Sequence, residues 1–170
     1  MKKLIALMLL LGCVSAQAAV VTWTVDGTFV DGGTMTGTFD YDADSNIYSN
    51  ISINSTNYAP PCCGAQFGGT YTTLFTLPGP DESHFYAQTN ANVGGNFLVL
   101  QLFFLSDLTN AGGIVNIDVN SNNSIEIVTS FDAIRNLMPG ATVSAVPIPA
   151  AVWLFGSGLG LLGWIRRKRT

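Results

Sequence analysis

The sequence predicts an all-β protein: one antiparallel domain of the β-sandwich or jelly-roll type, flanked by an N-terminal signal helix and a C-terminal transmembrane helix. Three observations predict it. Apolar and polar residues alternate along many short segments. Turn residues recur about every eight to twelve positions, which is typical of sandwiches. Only 11% of the chain is charged while 48% is hydrophobic, a composition typical of extracellular β-proteins.

The first strands follow from strict alternation. Val21, Trp23 and Val25 are separated by Thr residues, and the same pattern runs from Thr34 to Tyr41 and from Ile51 to Asn54. Each strand should bury one face and expose the other. We expect turns at these segments: Asp31-Gly32-Gly33, Asp42 to Asn46, Gly68-Gly69, Gly94-Gly95 and Gly112-Gly113.

The later strands complete a domain of about eight to ten strands. Phe97 to Leu105 is apolar on both faces, which favours a central strand over a helix because Gly94-Gly95 precedes it and aromatic residues surround it. The other expected strands are Tyr71 to Leu77, His84 to Thr89, Val115 to Val119 and the pair Ile125 and Ile127. The pattern of Phe131 to Leu137 does not distinguish a strand from a short helix. Residues 138–145 are expected to be a linker.

Charge is divided sharply along the chain. Six of the seven cations lie in the terminal segments, whereas residues 19–145 hold all eleven acidic residues and one cation, Arg135. The formal net charge of that middle region is therefore −10. Such a domain repels nucleic acid and anionic membrane surfaces, so no nucleic-acid partner is expected.

Residues 1–18 have the organisation of a signal peptide. Lys2 and Lys3 precede an uncharged apolar run, and Ala16 and Ala18 supply the small residues of a cleavage site. The expected partners are the export machinery and a signal peptidase. One alternative stays open, because Leu10-Leu11-Gly12-Cys13 is similar to a lipoprotein box in which Cys13 would be lipidated.

The C-terminal segment is apolar and ends in a basic cluster. Residues 150–165 carry no charge, and residues 166–169 are all cationic. A helix of 16 residues spans about 24 Å, slightly less than a bilayer core, so Trp153 and Trp164 would lie near the interfaces. The basic cluster should stay cytoplasmic, which leaves the domain outside and the chain anchored in the inner membrane. A plain single-pass anchor is the simpler alternative.

This tail resembles the PEP-CTERM sorting signal, in the variant with a Val-Pro-x-Pro-Ala-Ala start. The resemblance covers residues 146–170 and implies recognition by an exosortase, with removal of the tail, followed by display at the cell surface or secretion. Proteins of this type are associated with exopolysaccharide and biofilm. The residues that carry it are Val146, Pro147, Ile148, Pro149, Ala150, Ala151, Trp153, Gly156, Ser157, Gly158, Arg166, Arg167 and Lys168.

The start of the domain also resembles N-terminal regions common among proteins with this tail. That resemblance implies a shared fold and assigns no activity. The matching residues are Trp23, Gly27, Phe29, Asp31 to Gly33, Gly37, Phe39, Tyr41 to Asp44, Tyr48 and Ser49. The expected organisation is then a signal peptide over 1–18, a β-domain over 19–137, a linker over 138–145 and the sorting tail over 146–170.

Asp40, Asp42 and Asp44 have the alternate spacing of calcium-loop ligands. Position six of such a loop is Ser45 rather than Gly, and position twelve is Ile51 rather than Glu. A hairpin turn in which these side chains bind the backbone is therefore favoured, and Ca²⁺ remains a weak alternative. No other cofactor is expected.

Cys62 and Cys63 are adjacent and would be exported to an oxidising compartment, which predicts a disulfide of some kind. The chain lacks a second Cys pair, and His84 is its single histidine, so a structural metal site is not expected.

The sequence favours a non-catalytic protein. No nucleophile elbow, phosphate loop or metalloprotease motif is present, and the acidic residues show no spacing that marks a catalytic pair. Two other functions stay open. A carbohydrate-binding module would use exposed Tyr and Asn side chains, with Tyr48, Tyr58, Tyr71 and Tyr86 as candidates. An envelope hydrolase would need two carboxylates in one cleft.

Overall fold

Ten antiparallel strands form one continuous sheet in the computed structural model, which describes residues 20–61, 64–75, 79–90, 97–129 and 133–146. The hydrogen-bonded order is β7-β10-β1-β2-β3-β4-β5-β6-β8-β9. The strands are β1 Val21–Thr28, β2 Thr34–Asp42, β3 Ile47–Tyr58, β4 Phe67–Leu74, β5 His84–Thr89, β6 Leu98–Phe103, β7 Ile114–Asn116, β8 Ile125–Val128, β9 Ala133–Asn136 and β10 Thr142–Ala145.

The predicted all-β antiparallel class is confirmed. The described residues contain no α-helix, only a single 3₁₀ turn at Asn120–Asn122. None of them lies in a helix long and apolar enough to cross a membrane. The predicted signal and tail helices lie outside the described residues.

The sheet curls so that its edges meet strands from the opposite half. Past the end of β9, Leu137 bridges Phe29 at the end of β1. On the other side, Ile117 after β7 bridges Phe104 after β6. The curl therefore encloses one core between two facing halves of the same sheet.

The alternation predicted for β1 and β2 is confirmed. Trp23 and Val25 are buried on β1, and Met35, Phe39 and Tyr41 are buried on β2, while the intervening Thr and Asp residues face outward. The rings of the inner face pack across the curl, because the Phe39 and Phe85 centroids lie 4.8 Å apart. Aromatic contacts of this kind contribute beyond simple area burial.

The apolar segment before residue 105 is a central strand, as predicted. β6 pairs with β5 on one side and β8 on the other. Leu98, Leu100 and Leu102 point inward, and Val99 on the other face is only 4% exposed. The ambiguous segment before residue 137 contributes β9, an edge strand paired with β8.

Gly68-Gly69, expected to be a turn, lies within β4 instead. The register with β3 shifts between Ser55 and Tyr58, and Gly68 has φ of +97°. A Cβ at position 68 would lie 2.5 Å from the Cα of Asn57. Glycine here therefore marks an irregularity inside a strand rather than the end of one.

The structure also differs from the linker expected over residues 138–145. Residues Thr142–Ala145 form β10, which pairs with β1 and β7. Val143 is fully buried, and the N–H of Val146 donates to the carbonyl of Thr22 at 2.8 Å. Four residues are too few to show a clear alternation, so only pairing with β1 identifies this strand.

Replacing Val143 by Ala should lower the free energy of unfolding by about 2 kcal/mol, because it removes a fully buried side chain from β10. Urea denaturation followed by near-UV circular dichroism measures the change. Ile114→Ala on the adjacent β7 is the control, since Ile114 is 76% exposed and its loss should cost less than about 0.5 kcal/mol. Equal effects of the two variants would contradict a place for β10 in the sheet.

Candidate functional site

Arg135, the one Lys or Arg among the described residues, lies in the interior of the domain. It belongs to the inward face of β9 and is only 3% exposed. Its register partner on β8 is Glu126, which is completely buried. A buried ion pair needs good geometry and further hydrogen bonds, since both groups have lost water.

The guanidinium of Arg135 donates two hydrogen bonds to the carboxylate of Asp31. Nε donates to Oδ2 at 2.7 Å and Nη2 donates to Oδ1 at 2.9 Å. Asp31 comes from the turn after β1, and its Oδ1 also accepts from the N–H of Gly33 at 2.9 Å. A Cβ at position 33 would overlap Nη2 of Arg135, so any side chain there would displace the guanidinium.

The remaining donor nitrogen of Arg135 links β9 to β8 and β3. Nη1 donates to Oε2 of Glu126 at 3.0 Å and to the carbonyl of Thr56 at 2.9 Å. The guanidinium also lies 3.9 Å from the ring centroid of Phe29 and 5.5 Å from that of Tyr58. Both distances are within the range of cation–π attraction.

Glu126 has hydrogen-bond donors on both of its oxygens. Oε1 accepts from Oγ of Ser55 at 2.9 Å, from the N–H of Gly68 at 2.8 Å, and from the hydroxyl of Tyr71. With Arg135 on Oε2, the carboxylate is fully paired, which is the condition for burying a charge. We call Asp31, Glu126, Arg135 and their donors Ser55, Gly68 and Tyr71 the Arg135 network.

The network shifts the pKa values of Asp31, Arg135 and Tyr71. Burial acts to raise the pKa of Asp31, but the hydrogen bonds from Arg135 and Gly33 lower it overall. Burial also opposes the charged form of Arg135, yet its bonds to Asp31 and Glu126 raise its pKa. Burial, followed by the charge of Glu126, raises the pKa of the Tyr71 hydroxyl, which therefore stays protonated.

The sequence analysis did not predict this network. It identified Arg135 as a lone cation in an acidic domain but assigned it no partner. Alternation pointed the other way, because Ile125 and Ile127 flank Glu126 and would place its carboxylate outside, whereas the structure turns Glu126 inward beside Leu100. The pairing of Glu126 with Arg135 also depends on the β8–β9 register, which the sequence does not specify.

Among the surface clefts formed by described residues are three whose described lining contains no side chain that is charged at neutral pH. The first, about 350 Å³, is lined by Asn57, Tyr58, Ala59, Gln66, Phe67 and Gly68. The second, about 340 Å³, is lined by Gly68, Gly69, Thr70, Thr72, Thr89, Asn90 and Leu98. The third, about 760 Å³, lies beside the ends of the domain and includes Val20, Ile114 and Val146.

Asp40, Asp42 and Asp44 do not converge on one point. Asp40 accepts from Thr22 at 2.6 Å and Asn50 at 2.7 Å across the outer face of β2. Asp42 accepts from the N–H of Asp44 at 3.1 Å and from Oγ of Ser45, which also lower its pKa. This is the backbone-binding hairpin turn that the sequence favoured. Within the described ranges, no group of three or more His, Cys, Asp or Glu is placed to hold a metal ion.

His84 lies on the outer face of β5 in a local contact set. Its Nδ1 is 2.8 Å from Oδ1 of Asp81, and its ring stacks on Phe103 with centroids 4.9 Å apart. Ser83 donates to the same Asp81 oxygen at 2.7 Å. These contacts hold the imidazole ring against the turn at Asp81 and against Phe103 of β6.

The four candidate tyrosines differ in how far their side chains are buried. Tyr48 and Tyr71 are in the core, and Tyr86 is 7% exposed, so none of these three presents a ring face to a large ligand. Tyr48 instead donates its hydroxyl to the carbonyl of Asp81 at 2.6 Å. Tyr58 is 37% exposed and lines the first cleft. Of the four candidate tyrosines, Tyr58 is therefore the one whose ring could contact a sugar.

The remaining predicted sites lie outside the described residues. They are Cys13, the cleavage residues Ala16 and Ala18, the pair Cys62 and Cys63, and the sorting motif from Pro147 onward. Val146, the first residue of that motif, is described and lies at the end of β10.

Comparison with protein-family models, curated proteins and solved structures found no match to this chain.

Removing the side chain of Arg135 should destabilise the domain by about 3–5 kcal/mol, because Arg135→Ala takes away the ion-pair partner of the buried Glu126 side chain. Arg135→Lys, the matched control, keeps the charge but loses the fork to Asp31 and should fall in between. Adding Glu126→Gln to Arg135→Ala should cost less than the sum of the single changes. Urea midpoints of these three variants and of the single Glu126→Gln variant measure the effects, and additive single and double changes would contradict the pairing.

Acid should remove the contribution of Asp31. Its folded pKa is lowered, so its stabilisation is complete above the unfolded value of about 3.9 and is lost as pH falls through the folded value. The stability difference between wild type and Asp31→Asn should therefore be constant from about pH 7 to 5 and shrink below about pH 4. Asp26→Asn, at an exposed position of β1, controls for net charge. A difference that persists unchanged to about pH 2.5 would refute this assignment.

Proposed function

We propose that this chain is the precursor of an exported envelope or extracellular-matrix protein that an exosortase-type system sorts through its C-terminal tail. The observation that carries the proposal is the order of residues 146–168: Val-Pro-x-Pro-Ala-Ala, an apolar segment with Trp and Gly-Ser-Gly, and a basic end. In this proposal, the signal peptide leads the chain through the export machinery. The tail then holds it in the inner membrane until processing.

The geometry of the domain ends supports this organisation. Val20 and Val146 line the same cleft, and the N–H of Val146 bonds to Thr22 near the start of β1. The two described ends of the domain therefore lie on one side of it. Only Pro147, Ile148 and Pro149 separate Val146 from the apolar segment. A tail of this design would hold the domain directly above the membrane surface.

We further interpret the curled sheet as a sandwich-like or jelly-roll-like domain. Its two halves face each other across one core, and the edge strands contact the opposite half at Leu137 and Ile117. Covered edges of this kind protect an exported β-protein from edge-to-edge aggregation.

The proposed role is non-catalytic and associated with exopolysaccharide or biofilm. Two features support a non-catalytic domain. The described residues lining the three clefts include no carboxylate, His or Cys. Asp31 and Glu126 are both bound to Arg135 rather than facing a cleft, whereas a glycosidase would need two carboxylates flanking its substrate.

The test is intact mass and fractionation of the protein from its native host, with and without the exosortase. We expect mass to be lost near Ala18 and near residues 147–150, with the product outside the inner membrane. Without the exosortase, the tail should remain and the protein should stay in the inner membrane. Persistence of the tail in both strains would instead indicate an ordinary anchored domain.

Changing both Pro147 and Pro149 to Ala should trap the unprocessed protein in the inner membrane, because these residues belong to the proposed recognition motif. Fractionation and intact mass report the outcome. Pro61→Ala is the matched control, since Pro61 is exposed and lies outside the motif. Normal processing of the double variant would argue against recognition through this motif.

A further inference from the structure

The first cleft combines an exposed aromatic ring with amide side chains and no charge. Tyr58 is 37% exposed there, and Asn57 and Gln66 lie beside it on either side of the β3–β4 connection. The backbone of Gly68 completes the described lining without a side chain. Binding sites commonly join an apolar surface to a few polar groups that orient the ligand, and this cleft has that composition.

The ring of Tyr58 is held in place by two residues of the domain. It stacks on Phe67 with centroids 6.3 Å apart, and the guanidinium of Arg135 lies 5.5 Å from its centroid. Arg135 is itself fixed by Asp31 and Glu126. A platform that is already ordered loses little conformational entropy when a ligand binds, which favours affinity.

A second cleft shares one lining residue, Gly68, with the first. Thr70, Thr72 and Asn90 lie on its exposed side. The hydroxyl of Thr70 is already oriented by a 2.6 Å bond to Asn54, which leaves its oxygen able to accept from a ligand. The two clefts form an uncharged polar path along β4 that suits an extended ligand with many hydroxyl groups.

We propose that this path, centred on Tyr58, binds a neutral oligosaccharide. A sugar ring has an apolar C–H face, which packs on an aromatic ring, and hydroxyl groups, which pair with amides and Thr hydroxyls. An anionic polymer would find no cation in the described lining and would be repelled by a domain with a formal charge of −10. The proposal rests on the export proposed above, because export is what brings the domain into contact with such polymers.

The test uses the full-length protein in neutral detergent micelles and three probes: cellohexaose, maltohexaose and a hexameric oligogalacturonate. Isothermal titration calorimetry measures affinity, with saturation-transfer NMR for weak binding. At least one neutral hexamer should bind, and oligogalacturonate should bind more weakly. Failure of both neutral hexamers to bind, or tighter binding of the anionic one, would overturn the proposal.

Variants locate the site. Tyr58→Ala should weaken binding of the neutral hexamer about tenfold or more, whereas Tyr58→Phe keeps the ring face and should stay within about twofold. Gln66→Ala should weaken binding without affecting the fold, because Gln66 is exposed. Ile47→Ala, an exposed residue of the distant β2–β3 hairpin, should bind as wild type does. Binding that is insensitive to both Tyr58→Ala and Gln66→Ala would place the ligand elsewhere and refute the assignment.

The outcome is separable from that of the sorting experiment. Binding at Tyr58 together with an unprocessed tail would retain the sugar site and remove the exosortase-dependent role. Normal processing without binding of any neutral hexamer would retain the exosortase-dependent role and remove the sugar site.

Discussion

The bond between Arg135 and its two carboxylates determines how the curled sheet closes. Asp31 belongs to the turn after β1, whereas Glu126 and Arg135 belong to β8 and β9, at the far end of the hydrogen-bond order. A guanidinium has its donors in a rigid fork, so it holds both acids only in a narrow range of positions. The pairing therefore selects one arrangement of the two halves among the many that apolar burial would accept.

Two glycines make this arrangement compatible with the backbone. Gly33 leaves space for Nη2 of Arg135, and Gly68 adopts φ of +97° while its N–H reaches Glu126. Glycine weakens a strand because its backbone is freer in the unfolded chain. That cost is offset where the backbone must approach a buried charge closely, so the irregularity in β4 belongs to the same structure as the ion pair.

Charged side chains are paired with each other in the interior of the domain, whereas on its surface they are bonded to neutral groups. The one Lys or Arg among the described residues lies in the interior, so no described Lys or Arg is available to the acidic residues of the outer surface. Their carboxylates instead bind Thr, Ser and Asn side chains and backbone N–H groups, as Asp40 and Asp42 do. An acidic surface of this kind repels anionic polymers.

The sequence by itself determined the all-β class, most strands and the hairpin at Asp42, because alternation and turn chemistry are local properties of the chain. The strands at Val21 to Val25 and His84 to Thr89 could be predicted without knowing which strands they pair with. Only the tertiary structure decided that residues 142–145 join the sheet, that Glu126 and Arg135 pair, and that Tyr58 alone of four tyrosines lines a cleft. These features depend on register and on contacts between distant strands, which alternation within one strand does not encode.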